Sequence, residues 1–237
     1  MRLAINIDHI ATLRNSRGGT MPNPIEAARI CEKAGADGIV CHLREDRRHI
    51  RDEDVYRLRE TVLTKLDLEM AATLEIISIA RRIKPELATL VPEKRHELTT
   101  EGGLDVVRWK NNIRKATAQL HEKGIAVSLF IDPVREQIEA AKEVDADMIE
   151  IHTGEYANTP SVSRRKKLVS EIKSAAVYAR KLGLGVNAGH GLDYTNIKLI
   201  SKIEEIEEVS IGHAIIEHAV WVGLENAVRE MVRLVKQ

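Results

Sequence analysis

The sequence has few aromatic side chains, no excess of either charge and no long apolar run. It contains two Trp, four Tyr and one Phe, so few rings are available to stack on nucleic-acid bases. Its 36 basic residues balance 36 acidic ones, which argues against recruitment of nucleic acid or an anionic membrane by overall charge. No stretch approaches the roughly 18 apolar residues of a transmembrane helix. Any anionic ligand must therefore be bound at a local site.

The N-terminus and the cysteines predict a cytoplasmic protein. The start MRLAINIDHI lacks the apolar segment and the cleavage site of a secretory signal peptide. The two cysteines, Cys31 and Cys41, do not have the spacing of a metal site and are typical of reduced core residues. A hydrophobic content of 43% over 237 residues is enough for a globular core.

Eight short segments with the composition of strands recur along the chain, and amphipathic helical patterns separate most neighbours. They span residues 2–8, 37–43, 65–71, 87–92, 125–132, 148–154, 184–190 and 208–214. Eight strand–helix units are typical of a (β/α)8 TIM barrel, an α/β fold. We predict one such catalytic domain over residues 1–237, with a last helix at about 214–236. An open doubly wound sheet is the alternative, although no GxGxxG follows the first segment.

Polar residues alternate with apolar ones along several of these segments, and we predict that the polar set faces the barrel axis. A barrel interior is normally filled by branched aliphatic side chains, and an unpaired buried carboxylate is costly. The set therefore predicts a hydrated catalytic mouth, although a structural ion pair is the alternative for any single acid. Its members include Asn6, Asp8, Asp67, Glu69, Glu150, His152 and Ser210.

The histidines favour the same end of the barrel. Five of the nine, His9, His42, His152, His190 and His213, lie at or just past the end of a predicted strand. The strand ends and the following loops build the active sites of TIM barrels, and histidine titrates near neutral pH. Acid–base chemistry is favoured. A metal centre remains the alternative, because ligands can come from separate strands, although HxH and HExxH spacings are absent.

Two glycine motifs indicate phosphate binding. NAGHG (187–191) closes the seventh predicted strand, and IGHA (211–214) closes the eighth and opens the last helix. Glycines with free N–H groups beside a helix N-terminus at these positions are typical of the phosphate site of TIM barrels, although glycine also ends strands for steric reasons. Two longer loops, 14–24 with Arg17 and 92–103 with Thr99, are candidate lids or ordinary surface loops.

A charged run follows the second strand. We predict that Arg44 and His49 reach an anionic substrate, while His42 acts as a base. The other charged residues should form a solvated, self-neutralising face or a subunit contact. They are Glu45, Asp46, Arg47, Arg48, Arg51, Asp52, Glu53 and Asp54.

Long motifs at all eight strand ends resemble the pyridoxine 5'-phosphate synthase family, in order and across nearly the whole chain. The resemblance implies a TIM barrel with extra helices, assembled as a homo-octamer (a tetramer of dimers), that needs no metal or organic cofactor. It also implies condensation of 3-amino-2-oxopropyl phosphate with 1-deoxy-D-xylulose 5-phosphate to pyridoxine 5'-phosphate, phosphate and water. The motifs are NIDHIATLRNSRG, HLREDRRHI, LEMA, VPEKRHELTTEGGLDV, VSLFID, IEIHTG, VNAGHGL and IGHAII.

The resemblance also implies roles for individual residues. His42 and Glu69 would accept protons, His190 would donate one, and Glu150 would stabilise a charged transition state. The aminoketone phosphate would be held by Asn6, Arg17, Gly191, Gly212 and His213. The deoxyxylulose phosphate would be held by Asp8, His9, Arg44, His49 and Thr99.

Two other functions fit the residue pattern alone. A phosphosugar isomerase or aldolase would use the same phosphate site, but a Schiff-base aldolase needs an inward lysine, and Lys65 lies only at a strand's entrance. A non-enzymatic barrel would tolerate an aliphatic interior in place of Asn6, Glu69 and Glu150. Incubation with both phosphorylated substrates distinguishes these functions.

Overall fold

The computed structural model describes residues 1–93 and 102–236. Eight parallel strands form a closed barrel in which each strand pairs with the next and β8 pairs with β1. This confirms the predicted barrel and excludes the open sheet. The strands are β1 (Arg2–Asn6), β2 (Gly38–His42), β3 (Leu66–Met70), β4 (Leu87–Leu90), β5 (Ala126–Ile131), β6 (Met148–His152), β7 (Gly185–Gly189) and β8 (Glu208–Ile211).

Helices surround the barrel. They are α1 (Asp8–Asn15), α2 (Pro24–Lys33), α3 (Asp52–Thr61), α4 (Leu74–Ile83), α5 (Val106–His121), α6 (Arg135–Glu143), α7 (Gly154–Asn158), α8 (Val162–Lys181), α9 (Ile197–Ile200), α10 (His213–Val222) and α11 (Leu224–Val235). Among the described residues, no helix is long and apolar enough to cross a membrane.

The main hydrophobic core lies between the strands and the helices. It contains the apolar side chains that alternate with the polar set, such as Leu3 and Ile5 on β1 and Ile149 and Ile151 on β6, all fully buried. Because side chains alternate along a strand, burial of this set turns Asn6, Glu69 and the other polar residues toward the axis. The predicted inward face is therefore confirmed for the strand residues.

Buried polar groups also fill the end of the barrel at which the strands begin. Lys65, just before β3, forms an ion pair with Glu208 of β8, and the Thr89 hydroxyl donates to Asp67 at 2.9 Å. Burial is the main cause that raises the pKa of Asp67 to about 7. Lys65 is thus engaged at the opposite end from the catalytic face, which weighs against a Schiff-base role.

Three predictions were wrong in detail. The last helix is two helices, α10 and α11, because Gly223 has a φ of 79° and interrupts the helical backbone. Asp8 begins α1 rather than continuing β1, so the first loop starts only after residue 15. Asp54 is not on a solvated face: it is 5% exposed and accepts two hydrogen bonds, of 2.6 and 2.8 Å, from the buried Arg14.

Candidate active site

The carboxyl ends of the strands bring the predicted catalytic residues to one end of the barrel, because all eight strands are parallel. The pairing register of neighbouring strands determines which residues lie side by side. His42 at the end of β2 is the Cα partner of Glu69 on β3, and Glu150 on β6 is the partner of Asn187 on β7.

A hydrogen-bonded group surrounds Glu69. The Asn6 amide donates to Asp8 Oδ2 at 3.0 Å and to Glu69 Oε2 at 3.4 Å. Asp8 Oδ1 accepts the backbone N–H of His42 at 2.8 Å, and His42 Nδ1 lies 3.9 Å from Glu69 Oε2. Four of the predicted residues, Asn6, Asp8, His42 and Glu69, are thus brought together by side chains from β1, α1, β2 and β3.

The neighbouring carboxylates alter the ionisation of this group. Burial, followed by the negative charges of Glu150 and Asp8, raises the pKa of Glu69 well above its ordinary value. Burial likewise raises the pKa of Glu150 to about 8, with Asp67 contributing. Several acids close to one another in a buried site cannot all ionise at low cost. The state in which Glu69 and Glu150 are both ionised is therefore disfavoured.

Glu150 has little room on the side of β7. It is 3% exposed, and a methyl group built on Gly189 would overlap Glu150 Oε1 and lie 3.1 Å from its Cδ. Glycine at position 189 is therefore required by the position of this carboxyl group.

His190 belongs to a second cluster across the mouth. Its ring centroid lies 5.1 Å from that of His152, and His152 Nδ1 bonds Asp132 Oδ1 at 2.9 Å. Burial, followed by the charge of His152, lowers the pKa of His190 to about 4. His190 also has a φ of 75°, an uncommon conformation for a residue other than glycine that is typical of functional loops. In the free protein His190 is thus neutral at pH 7.

The two predicted phosphate-binding glycines differ in their surroundings. Gly191 follows His190, has a φ of 80° and is exposed at the mouth. Gly212 precedes α10, whose first turn has no side-chain cap, so backbone N–H groups are available for an anion. A side chain at Gly212 would lie 2.9 Å from Asn6 Cβ and 3.0 Å from its backbone oxygen. Replacement of Gly212 would therefore displace the end of β1 as well as an anion.

The remaining predicted residues are placed at the rim. His9 and His213 contact each other edge to face, with ring centroids 4.8 Å apart. Arg44 is 5% exposed and donates to Asp46 at 3.3 Å, and the His49 ring lies 5.8 Å from that of His42. Two residues are not brought into this group: Arg17 is exposed beyond α1, and Thr99 lies outside the described residues.

One set of described residues has the geometry for a metal ion. Ligand atoms of Asp8, His42 and His49 all lie within 4.8 Å of one another. Two of the groups already accept backbone hydrogen bonds, since Asp8 Oδ1 accepts from His42 and His49 Nδ1 accepts from Ile50 at 2.9 Å. Nitrogen and carboxylate ligands suit zinc or iron. If the protein uses a metal, these three residues are its candidate ligands, and chelation tests whether a metal is needed.

The structure adds residues that the sequence analysis missed. Glu93, at the start of the loop after β4, bonds His42 Nε2 at 2.8 Å. Asp132, just after β5, is the partner of His152, and Gly189 accommodates Glu150. Asp132 ends the fifth predicted strand (125–132), opposite its apolar face, and Glu93 directly follows the fourth (87–92), so both could have been included as residues at strand ends.

Comparisons with known proteins identify the family. Residues 3–237 match the family described as pyridoxal phosphate biosynthesis protein PdxJ. The pyridoxine 5'-phosphate synthase of Pelodictyon phaeoclathratiforme is 58% identical over 236 residues, with 100% of both chains covered. That of Syntrophobacter fumaroxidans is 57% identical, with 99% of this chain and 98% of the relative covered.

Solved structures of low identity share the fold alone. KGPDC from Streptococcus mutans has a TM-score of 0.66 at 13% identity, over 99% of this chain and 97% of that one. A native KDPGal structure has a TM-score of 0.62 at 12% identity, over 100% and 95%. The full-length match and the high identity to curated relatives show that the chain belongs to the pyridoxal phosphate biosynthesis protein PdxJ family.

Proposed function

We propose that the chain is a pyridoxine 5'-phosphate synthase that joins 3-amino-2-oxopropyl phosphate to 1-deoxy-D-xylulose 5-phosphate by acid–base catalysis. The observation that carries this proposal is the full-length membership of the family, together with the gathering of His42, Glu69, Glu150 and His190 around one barrel mouth. Ring formation requires amine addition, loss of water, removal of a proton from carbon, expulsion of phosphate and an aldol-type closure. These steps need several groups of different basicity.

The carboxyl cluster suits an amine substrate. An ammonium group entering beside Glu69 and Glu150 would favour their ionised forms, because opposite charges lower the pKa of a carboxyl group. Glu69 would then accept protons during the condensation, as would His42, whose Nδ1 faces Glu69 at 3.9 Å. Ionised Glu150 would offset positive charge that develops on the substrate nitrogen.

His190 is suited to donate a proton only when substrate is bound. Its pKa of about 4 in the free protein would rise when a phosphate dianion occupies the neighbouring Gly191, since a nearby negative charge favours the imidazolium. Phosphate binding would therefore prepare the acid. The pH dependence of turnover should reflect the substrate complex rather than the free protein.

We assign the two phosphates to two adjoining sets of residues, which meet at the His9–His213 contact. The aminoketone phosphate would bind at Gly191, Gly212 and the N-terminus of α10, assisted by Asn6, Arg17 and His213. The deoxyxylulose phosphate would bind at Arg44 and His49 with Asp8, His9 and Thr99. The buried guanidinium of Arg44 supports this choice, because a buried arginine makes charge-assisted, geometrically defined contacts to phosphate. The reaction is proposed to need no metal or organic cofactor.

The assembly and location are also proposals. We propose one catalytic domain over residues 1–237 in a cytoplasmic homo-octamer, a tetramer of dimers, that binds neither nucleic acid nor membrane. Exposed apolar side chains near the end of α10 support self-association, since Val220 is 68% and Trp221 82% exposed. Sedimentation of the wild type and of Trp221→Ser tests this proposal. A wild type that sediments as a monomer, with the same mass as the variant, would contradict it.

Substitution of the proposed proton acceptors tests the function. Glu69→Gln and His42→Ala should each lower kcat by roughly two to four orders of magnitude, the range for a lost acid–base group. The control is Glu136→Gln, which neutralises an exposed carboxylate on α6 and should leave kcat unchanged. Near-normal turnover in either folded variant would remove that residue from the mechanism.

A further inference from the structure

The contact between His42 and Glu93 is buried and direct. His42 Nε2 lies 2.8 Å from Glu93 Oε1, and the side chains are only 7% and 6% exposed. The other Glu93 oxygen, Oε2, accepts the backbone N–H of Glu45 at 3.0 Å. Both carboxylate oxygens therefore accept hydrogen bonds from the segment that carries His42 and Arg44.

Glu93 can act only as an acceptor in this arrangement. Its Oε2 accepts the Glu45 N–H and its Oε1 faces a histidine ring nitrogen, the environment of an ionised carboxylate. An ionised carboxylate has no proton to donate. The proton on the neutral His42 ring must therefore be on Nε2, and its lone pair must be on Nδ1.

Nδ1 is the nitrogen that faces the reaction site. It lies 3.9 Å from Glu69 Oε2. The other titratable or charged groups around the ring come from separate elements: Asp8 from α1, and His49 and Arg44 from the loop after β2. Within the part of the chain that the structure describes, none of these groups forms a hydrogen bond with His42 Nε2.

We infer that Glu93 is a positioning residue that fixes Nδ1 of His42 as the proton-accepting nitrogen. This inference rests on the proposed role of His42. The carboxylate also stabilises the imidazolium that forms when Nδ1 accepts a proton, as the aspartate of a serine-protease triad does for its histidine. Because Glu93 is anchored to Glu45 N–H as well, it holds the ring orientation against the loop that carries Arg44.

Glu93→Gln tests this role because glutamine cannot reproduce both contacts. Its amide has one acceptor oxygen, whereas His42 and Glu45 each present an N–H. If the oxygen turns to His42, the NH2 group opposes Glu45 N–H. If it turns to Glu45, the NH2 group donates to Nε2 and forces the proton onto Nδ1, which blocks the base. Either arrangement also removes the charge that stabilises the imidazolium.

We expect Glu93→Gln to lower kcat at least 100-fold with KM values for both substrates within about threefold of wild type. The double variant with His42→Ala should be no slower than His42→Ala alone. Glu45→Gln is the matched control, since it removes a nearby exposed charge without touching the contact, and it should behave as wild type.

The outcomes separate this inference from the proposed function. Normal turnover of His42→Ala would remove His42 from the mechanism, whatever Glu93→Gln does. If His42→Ala is impaired, a wild-type kcat for Glu93→Gln, or losses that multiply in the double variant, would overturn the positioning role. Should Glu93→Gln not fold, Glu93→Asp retracts the carboxylate by one methylene. A kcat at least tenfold lower then supports the role, and a wild-type kcat overturns it.

Discussion

Gly189→Ala should disable the protein by moving Glu150 alone. Position 189 does not have a positive φ, so alanine is compatible with the backbone. The added methyl group would overlap Glu150 Oε1 and lie 3.1 Å from Cδ and 3.3 Å from the backbone oxygen of Ser210. Since the backbone of the neighbouring strand is fixed by the barrel, the carboxyl group has to move, by about 1 Å or more. A displacement of about 1 Å at a reacting group costs on the order of 100-fold in rate.

Steady-state kinetics of the wild type and four variants measures this effect. We expect kcat of Gly189→Ala to fall about 100-fold, and that of Glu150→Gln/Gly189→Ala to match Glu150→Gln alone, because both changes act through one group. The control is Gly185→Ala on the same face of β7, where the atoms nearest to the new methyl group belong to the flexible Met148 side chain, at 2.8 Å or more. Wild-type kcat in folded Gly189→Ala, or losses that multiply in the double variant, would refute the reasoning.

Three further predictions follow from the site and the barrel. Extensive chelation should leave activity unchanged, and loss of activity that zinc or iron restores would establish the metal alternative at Asp8, His42 and His49. Arg44→Ala should raise KM for the deoxyxylulose phosphate at least tenfold more than KM for the aminoketone phosphate; the opposite pattern in initial-rate kinetics would reverse the two assignments. Asp67→Asn should flatten the fall of the unfolding free energy between about pH 4, the unfolded pKa, and about pH 7, the folded one. The folded pKa of about 7 exceeds the ordinary value, so the folded state binds more protons and loses up to about 1.4 kcal/mol per pH unit as pH rises. Equal pH dependence of the two proteins in urea denaturation would contradict this.

The strands and the site's location could be predicted because both follow from period-two patterning. Asn6, Glu69 and Glu150 alternate with apolar residues, and only one orientation of each strand buries the apolar set. The break between α10 and α11 is harder to predict, because a glycine such as Gly223 is tolerated inside many helices and the sequence does not give its φ.

Residues that act through a neighbour were not predictable in the same way. Glu93 is one acid in a loop full of charges, and its importance depends on the 2.8 Å contact with His42, which no local pattern encodes. Gly189 matters because the Glu150 carboxyl group occupies the space a methyl group would need. Asp54 was assigned to a solvated face because mixed charge runs are usually exposed, and its buried partner, Arg14, lies 40 residues away.

The most direct measurement of the central claim follows both phosphates through the reaction by 31P NMR. The protein is incubated with 3-amino-2-oxopropyl phosphate and with 1-deoxy-D-xylulose 5-phosphate that carries 18O in its phosphate group. The proposed reaction predicts one pyridoxine 5'-phosphate and one labelled inorganic phosphate for each pair consumed, since the product keeps the phosphate of the aminoketone. Label in the pyridine product, or isomerised or cleaved deoxyxylulose phosphate without a pyridine product, would contradict the claim.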